Sequence, residues 1–344
     1  MSAVNLHKVI TSAGQQLAHN GIAKSFALTI KKTTSAFFKL ILNVSLFPTR
    51  YLSSKSFNVG TGYTRNLIPI SPQKTKEYLR FAGGSVASFA NDESWVKPFG
   101  TQFLNIEDVD LTGLPGNLRA EKKCFFDPEN GLKMVIVHSD AEALIIYGSL
   151  RAGNAMLDDA EAQKLVDRQN IILGANLFGF KPAIFEQADA LFQRVKSHPR
   201  LRGKRILFSG QCMGGCIASY VALKNQERAI CFNTFPLGAG LQEDLGKNRL
   251  RQAGRLVTHI SAKTDFVSDP KYLDLVDLII SSIGIRTPGN FGRRFSIPSA
   301  YNRAHDTHSY IFGSLMKHIG HNVRTRPAEL RSWDIVTSNE DGRI

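Results

Sequence analysis

Residues 208–220 read FSGQCMGGCIASY, and this stretch decides the fold. It continues from KRIL to give an apolar segment, 204–210, of the kind that forms a buried parallel strand. Gly210 and Gly214 stand two positions either side of Cys212, where a Cβ would obstruct a tight strand-to-helix turn. Gly215, Cys216 and Ala218 are small, so the helix predicted over 214–225 can lie close to a sheet. Cys212 then occupies the turn itself, its side chain raised above the sheet at a helix N-terminus. Partial positive charge and unpaired N–H groups there favour an anion. The backbone N–H of Met213 points at negative charge that develops beside the sulfur.

The same reading extends in both directions. Upstream, KKCFFDPENGLKMVIVHSDAEALIIYGSL predicts three strands over 123–126, 132–138 and 143–147, separated by turns through Pro128, Asn130, Gly131 and Asp140. Helices are predicted over 75–90, over 156–170, and from Pro182 to about Lys196, with the proline in the first turn. Downstream, strands are predicted over 229–235 and 255–261. Strand and helix in alternation give an α/β fold, a mostly parallel wound sheet with flanking helices and an antiparallel hairpin at its start. LGANLFGFKPAIF, 173–185, is apolar enough for ordinary core or for the lining of an acyl pocket. HDTHSYIFGSLMKHIGH, 305–321, predicts a loop entering a helix whose buried stripe is Ile311, Leu315 and Ile319.

LFSGQCMGGCIASYVAL resembles the nucleophile elbow of the class 3 lipases, the fungal-lipase-like α/β-hydrolases, with Cys212 where that group has serine. The resemblance covers about residues 80–322. ENGLKMVIVHSDAEALIIYGSL is similar to the strands leading to that group's oxyanion loop, with Tyr147 in place of its arginine, then Gly148 and Ser149. VTHISAKTDFVSDP is similar to the strand and loop carrying its acid, which implies Asp265, with Asp269 as substitute. The HSY segment implies His308 as the base, ahead of His305 and His318. An α/β-hydrolase-like domain follows, with Cys212, Asp265 and His308 catalytic. The resemblance also implies an oxyanion hole from Met213, Gly148 and Ser149 and an elbow shaped by Gly210, Gly214 and Gly215.

The implied activity is acyl hydrolysis or acyl transfer through a thioester on Cys212, with a lipid or acyl (thio)ester substrate. Gly210, Cys212, Gly214 and Gly215 also match the lipase-like box of polyhydroxyalkanoate synthases, so a polymerising acyltransferase is a second reading. An inactive hydrolase scaffold that docks on membranes or partners is a third. No cofactor is called for. The H-x-x-H pairs lack the i, i+4 spacing and there is no H-E-x-x-H, so no metal site is expected.

The composition frames these readings. At 344 residues, 43% hydrophobic and 21% charged, the chain is globular in character. Four cysteines, Cys124, Cys212, Cys216 and Cys231, form neither a disulfide framework nor a C-x-x-C pair, which suits a reducing intracellular compartment. The net charge of +14 is uneven: residues 1–76 hold ten Lys or Arg and no acid, leaving +4 for the other 268 residues. Residues 1–75 therefore read as a basic arm and linker, 76–330 as the hydrolase domain and 331–344 as a tail. Such an arm suits an anionic membrane surface, or a targeting or secretion signal. AFFKLILNVSLF, 36–47, is too short and too polar to span a bilayer but has the spacing of an interfacial helix. No recognised nucleic-acid module accompanies the charge, so nucleic acid is not an expected partner.

Overall fold

The computed structural model describes residues 68–121, 123–148, 159–263, 265, 268, 286–298 and 308–319. The basic arm up to residue 67, the tail, Ser149, Asp269, His305 and the side chain of His308 lie outside the described residues.

Chain order gives β1 (Ile68–Pro69), α1 (Pro72–Ala90), β2 (Gln102–Phe103), β3 (Arg119–Glu121), β4 (Cys124–Phe126), β5 (Lys133–His138) and β6 (Glu142–Gly148). It continues with α2 (Asp159–Leu177), α3 (Ala183–Lys196), β7 (Arg205–Gln211), α4 (Met213–Asn225), β8 (Arg228–Phe232) and α5 (Ala239–Leu256). Last come β9 (Val257–Ala262), β10 (Arg293–Ile297) and α6 (His308–His318). The strands form one sheet in the order β1-β10-β9-β8-β7-β6-β5-β4-β3, with β2 beside β5. From β6 to β1 all neighbours are parallel; β3 to β6, and the β2–β5 pair, are antiparallel. This is the α/β, mostly parallel wound sheet with an antiparallel start that the sequence pattern predicts.

Helices cover both faces. α2 to α5 pack on one, where Phe208, Cys231, Phe192 and Tyr220 belong to the larger core cluster. α1 and α6 cover the other with Leu79, Val86, Leu207, Phe232, Phe312 and Leu315. α4 is buried from Met213 to Leu223, as a helix with apolar residues all round must be. Leu173, Ile184 and Phe185 belong to the core on that side of the sheet and Leu177 is buried, whereas Phe180 between them is exposed.

Several boundaries differ from those the sequence suggests. α1 begins at Pro72, because Ser71 caps it by accepting from the Lys74 N–H at 3.3 Å and the proline suits the first turn. β1 and this first turn come from residues read above as linker. β8 stops at Phe232, not Phe235, because Asn233 turns the backbone to φ 43°. The buried face of α6 carries the expected Leu315 with Phe312 and Met316 beside it, and the expected Ile319 is partly buried, while the side chain of Ile311 lies outside the described residues. α5, broken at Gly246 (φ 70°), and β10 were not expected at all. Among the described residues no helix is long and apolar enough to cross a membrane.

Candidate active site

The C-terminal ends of the parallel strands bring the elbow together. β7 ends at Gln211, and α4 starts at Met213, so the whole reversal falls on Cys212. Its backbone sits at φ 56°, ψ −123°, a conformation that costs a non-glycine residue about 1–3 kcal/mol. Three backbone hydrogen bonds hold it there. The Cys212 N–H donates to the Phe232 carbonyl at 3.0 Å, and the Cys212 carbonyl accepts from Cys216 (3.1 Å) and Phe235 (3.4 Å). Met213 opens the helix, where first-turn N–H groups have no intrahelical acceptor.

The glycines are required by contact. A Cβ on Gly210 would lie 2.4 Å from the Gly214 carbonyl group, and one on Gly214 would lie 2.1 Å from the Tyr147 carbonyl oxygen. At Gly215 it would meet Thr234 Oγ1 at 2.8 Å. The Gly214 contact also locates the oxyanion-loop candidate, since the same Cβ position is 3.2 Å from the Gly148 carbonyl carbon. Gly148 thus ends β6 directly against the first turn of α4, beside Met213. Tyr147 itself turns into the core, donating its hydroxyl to the Ala188 carbonyl at 2.9 Å. Burial pushes its phenol well above the usual range.

Cys212 is half-buried, whereas Cys124, Cys216 and Cys231 are buried. Burial pushes the thiols of Cys216 and Cys231 up, so neither ionises readily. Of the four, Cys212 is the sulfur that a reagent can reach.

Asp265 lies past the end of β9 and is fully buried. Its N–H donates to the Ala262 carbonyl at 3.0 Å. Its Oδ2 accepts from the Ser268 N–H at 3.0 Å and from the Ser268 hydroxyl. Asn233 links this loop to the elbow: it follows Phe232, the acceptor for Cys212, and its Oδ1 accepts from the Ala262 N–H at 3.0 Å. The signal for Asn233 in the sequence is an asparagine closing an apolar strand.

α6 runs antiparallel to α1. Phe312 packs near Gly83, and His318 at the far end donates from Nε2 to the Ile70 carbonyl at 2.7 Å. Its first turn, with the backbone of His308, therefore lies beside the end of α1 that carries Ser88, and Ser88 abuts Gly148. His318 is occupied at the opposite end. On the α4 face, His259 is buried in register between Cys231 and Arg294, donating from Nε2 to the Phe291 carbonyl at 3.0 Å. Burial lowers it to about 4, so it stays neutral. Among the described residues no three His, Cys, Asp or Glu side chains are grouped to hold a metal ion.

No family model matches the chain, and no curated protein does. Among solved structures it is similar to acetyl xylan esterase 1 from Thermoanaerobacterium sp., with 10% identity over 75% of this chain and 96% of that one, at a TM-score of 0.27. It is also similar to carboxyl esterase 2 from the mycorrhizal fungus Tuber melanosporum, with 12% identity, 62% and 87% coverage and a TM-score of 0.26. A prolyl endopeptidase shares 14% identity over 55% of this chain at a TM-score of 0.26, and the chain spans 35% of that protein's length.

Proposed function

We propose that the chain is a cysteine-dependent acyl hydrolase or acyltransferase, similar to the class 3 lipases, that works through a thioester on Cys212. The observation that carries this reading is the strained backbone of Cys212 at the turn between β7 and α4. A side chain held at such a cost at a helix N-terminus, among glycines packed to contact, fits a nucleophile better than a packing residue.

In this reading the Cys212 thiolate attacks the acyl carbon, forming a C–S bond and an oxyanion. The N–H groups of Met213 and of the Gly148–Ser149 loop receive that charge. Collapse breaks the bond to the leaving group, which takes the proton that His308 removed from the thiol. Asp265 orients His308 and stabilises its charged form. Water or another acceptor then gives a proton to His308 and attacks the thioester, releasing the acyl group and restoring the thiol. Residues 1–76 are the proposed contact with anionic membrane, where the lipid or acyl (thio)ester substrate is met.

Intact-mass trapping tests this directly. Incubation with a panel of acyl thioesters should leave one acyl adduct, on Cys212, and Cys212→Ala should abolish both adduct and turnover while the protein stays folded. Turnover that survives in Cys212→Ala would sink the proposal.

A further inference from the structure

Among the described residues, four that are not glycine have a positive φ: Asn91, Cys212, Gln226 and Asn233. Asn91 and Gln226 stand at the C-terminal caps of α1 and α4, where a left-handed residue is routine. The other two, Cys212 (56°) and Asn233 (43°), directly follow the neighbouring strands β7 and β8 at the C-terminal edge of the sheet. One hydrogen bond joins the two turns, because the Cys212 N–H donates to the carbonyl of Phe232, the residue before Asn233. Asparagine takes this conformation more readily than most residues, so it turns the chain there at small cost.

The ladder between β8 and β9 shows what the turn at Asn233 accomplishes. Phe232 pairs with Ile260, and the Asn233 N–H donates to the Ile260 carbonyl at 3.0 Å. In a continued parallel ladder the next bond would run from the Ala262 N–H to the main-chain carbonyl of residue 233. The Asn233 side chain takes that bond instead, its Oδ1 accepting from the Ala262 N–H at 3.0 Å. The main chain is released toward Phe235, whose N–H donates to the Cys212 carbonyl at 3.4 Å. On its other side Ala262 is engaged too, its carbonyl accepting from the Asp265 N–H at 3.0 Å. One side-chain oxygen therefore stands between the backbone that turns Cys212 and the loop that carries Asp265. Asn233 is fully buried, and its Nδ2 has no hydrogen-bond partner among the described residues. Burying an unpaired amide donor costs free energy that an apolar side chain would avoid, so the gain from asparagine here lies in its oxygen.

We propose that Asn233 is a positioning residue for acylation: through Ala262 it fixes where Asp265 stands relative to the Cys212 turn. This rests on the function proposed above. The hydrogen bonds that carry the effect go to main-chain groups, so Asn233 acts through the two loops and takes no part in the bonds made and broken. Loss of its oxygen leaves the bond from the Cys212 N–H to Phe232 in place and frees only the Ala262 side. The nucleophile then keeps its turn while the acid loses an anchor. A displaced Asp265 stabilises the charged form of His308 less as the thiol gives up its proton, which slows acylation without weakening the binding of substrate.

The test is single-turnover trapping of the full chain with a butyryl thioester. Asn233→Gly keeps the positive φ and removes the oxygen. It should lower the rate constant for adduct formation on Cys212 at least tenfold, with the half-saturating thioester concentration within twofold of wild type. Asn233→Asp, which restores an acceptor oxygen at the same place, should recover the rate to within threefold. Amide hydrogen exchange reads the same contact without turnover. In Asn233→Gly the Ala262 amide should exchange at least tenfold faster, and the Cys212 amide should stay within twofold. If Asn233→Gly fails to fold, Asn233→Ser, with a shorter acceptor, is measured in its place and should lose at least threefold in rate by the same split. An unchanged rate in folded Asn233→Gly, a loss carried by the half-saturating concentration, or Asn233→Asp no faster than Asn233→Gly overturns the positioning role. So does equal acceleration of both amides, which would make Asn233 a residue that holds the fold as a whole. A wild type that forms no adduct on Cys212 overturns instead the cysteine mechanism on which the proposal rests.

Discussion

The two edges of the parallel sheet treat charge differently. At the N-terminal edge, Glu142 opens β6 opposite Arg205 of β7 and is ion-paired with both Arg205 and Arg80 of α1. Nearby, Lys204 donates to the Ser139 carbonyl and lies 3.3 Å from His138 Nδ1. At the C-terminal edge, Lys133 Nζ and Ser88 Oγ are buried with no hydrogen-bond partner among the described residues, Asn233 Nδ2 and Thr234 Oγ1 likewise, and Cys212 is strained. One edge pairs its carboxylate with two guanidinium groups, although His138 Nε2 there is buried with no hydrogen-bond partner among the described residues. The other holds bonding capacity that the fold itself does not use, which is how a surface built to receive a ligand differs from one built to hold elements together.

Substitutions at the two edges should therefore differ in size and in sign. The largest effect is expected at Gly214. Its Cβ would press on the Tyr147 carbonyl oxygen, which is backbone and cannot turn aside, so Gly214→Ala should cost about 3–5 kcal/mol. Chemical denaturation measures it, and a loss under about 1 kcal/mol would mean that the elbow can move off β6.

Next in size is a gain. Lys133→Met removes a buried amine that has no hydrogen-bond partner among the described residues and keeps an apolar stem of similar length, so it should stabilise the protein by about 1–3 kcal/mol near neutral pH. The pH dependence gives the sign. Burial lowers the amine in the folded state, so below the unfolded value of 10.5 the unfolded chain binds more protons and the wild type loses stability. The advantage of Lys133→Met should shrink as the pH rises toward 10.5. A variant less stable than wild type at pH 7 would place Lys133 among the residues that hold the fold.

The contrast between edges also separates what the sequence made legible from what it concealed. The elbow could be read because the turn, the close helix and the reactive atom each leave a residue type behind: Gly210 and Gly214 for contact, small residues for the helix, sulfur for chemistry. The parallel core could be read because its strands are continuous apolar runs. α5 was hidden by Gly238, Gly240, Gly246 and Gly254, which argue against a helix locally while its Leu241, Leu245 and Leu250 bury against the sheet. β10 was hidden by Arg293 and Arg294, since arginine in a strand suggests solvent, yet Arg294 is fully buried and donates to the Ser268 carbonyl at 2.8 Å. Lys133 was hidden in the same way. A charge in an alternating strand reads as the outer face, and only the packing of α1 reveals that both faces of β5 are inside.

The smallest expected effect lies at the ion-paired edge. Glu142 accepts from Arg80 and Arg205, but Arg205 is more than half exposed and Arg80 more than a third, so water screens both pairs. Glu142→Gln keeps the size and one acceptor oxygen and should cost at most about 1 kcal/mol, less in high salt. Thermal unfolding at low and high ionic strength is the measurement. Because β6 and β7 pair along six registers from Glu142 to Tyr147, the loss should stay local to the strand starts and leave adduct formation on Cys212 unchanged. If Glu142→Gln instead slowed acylation as much as a change at the elbow, the two edges would be coupled through β6 and β7, and the separation between a holding edge and a receiving edge would fail.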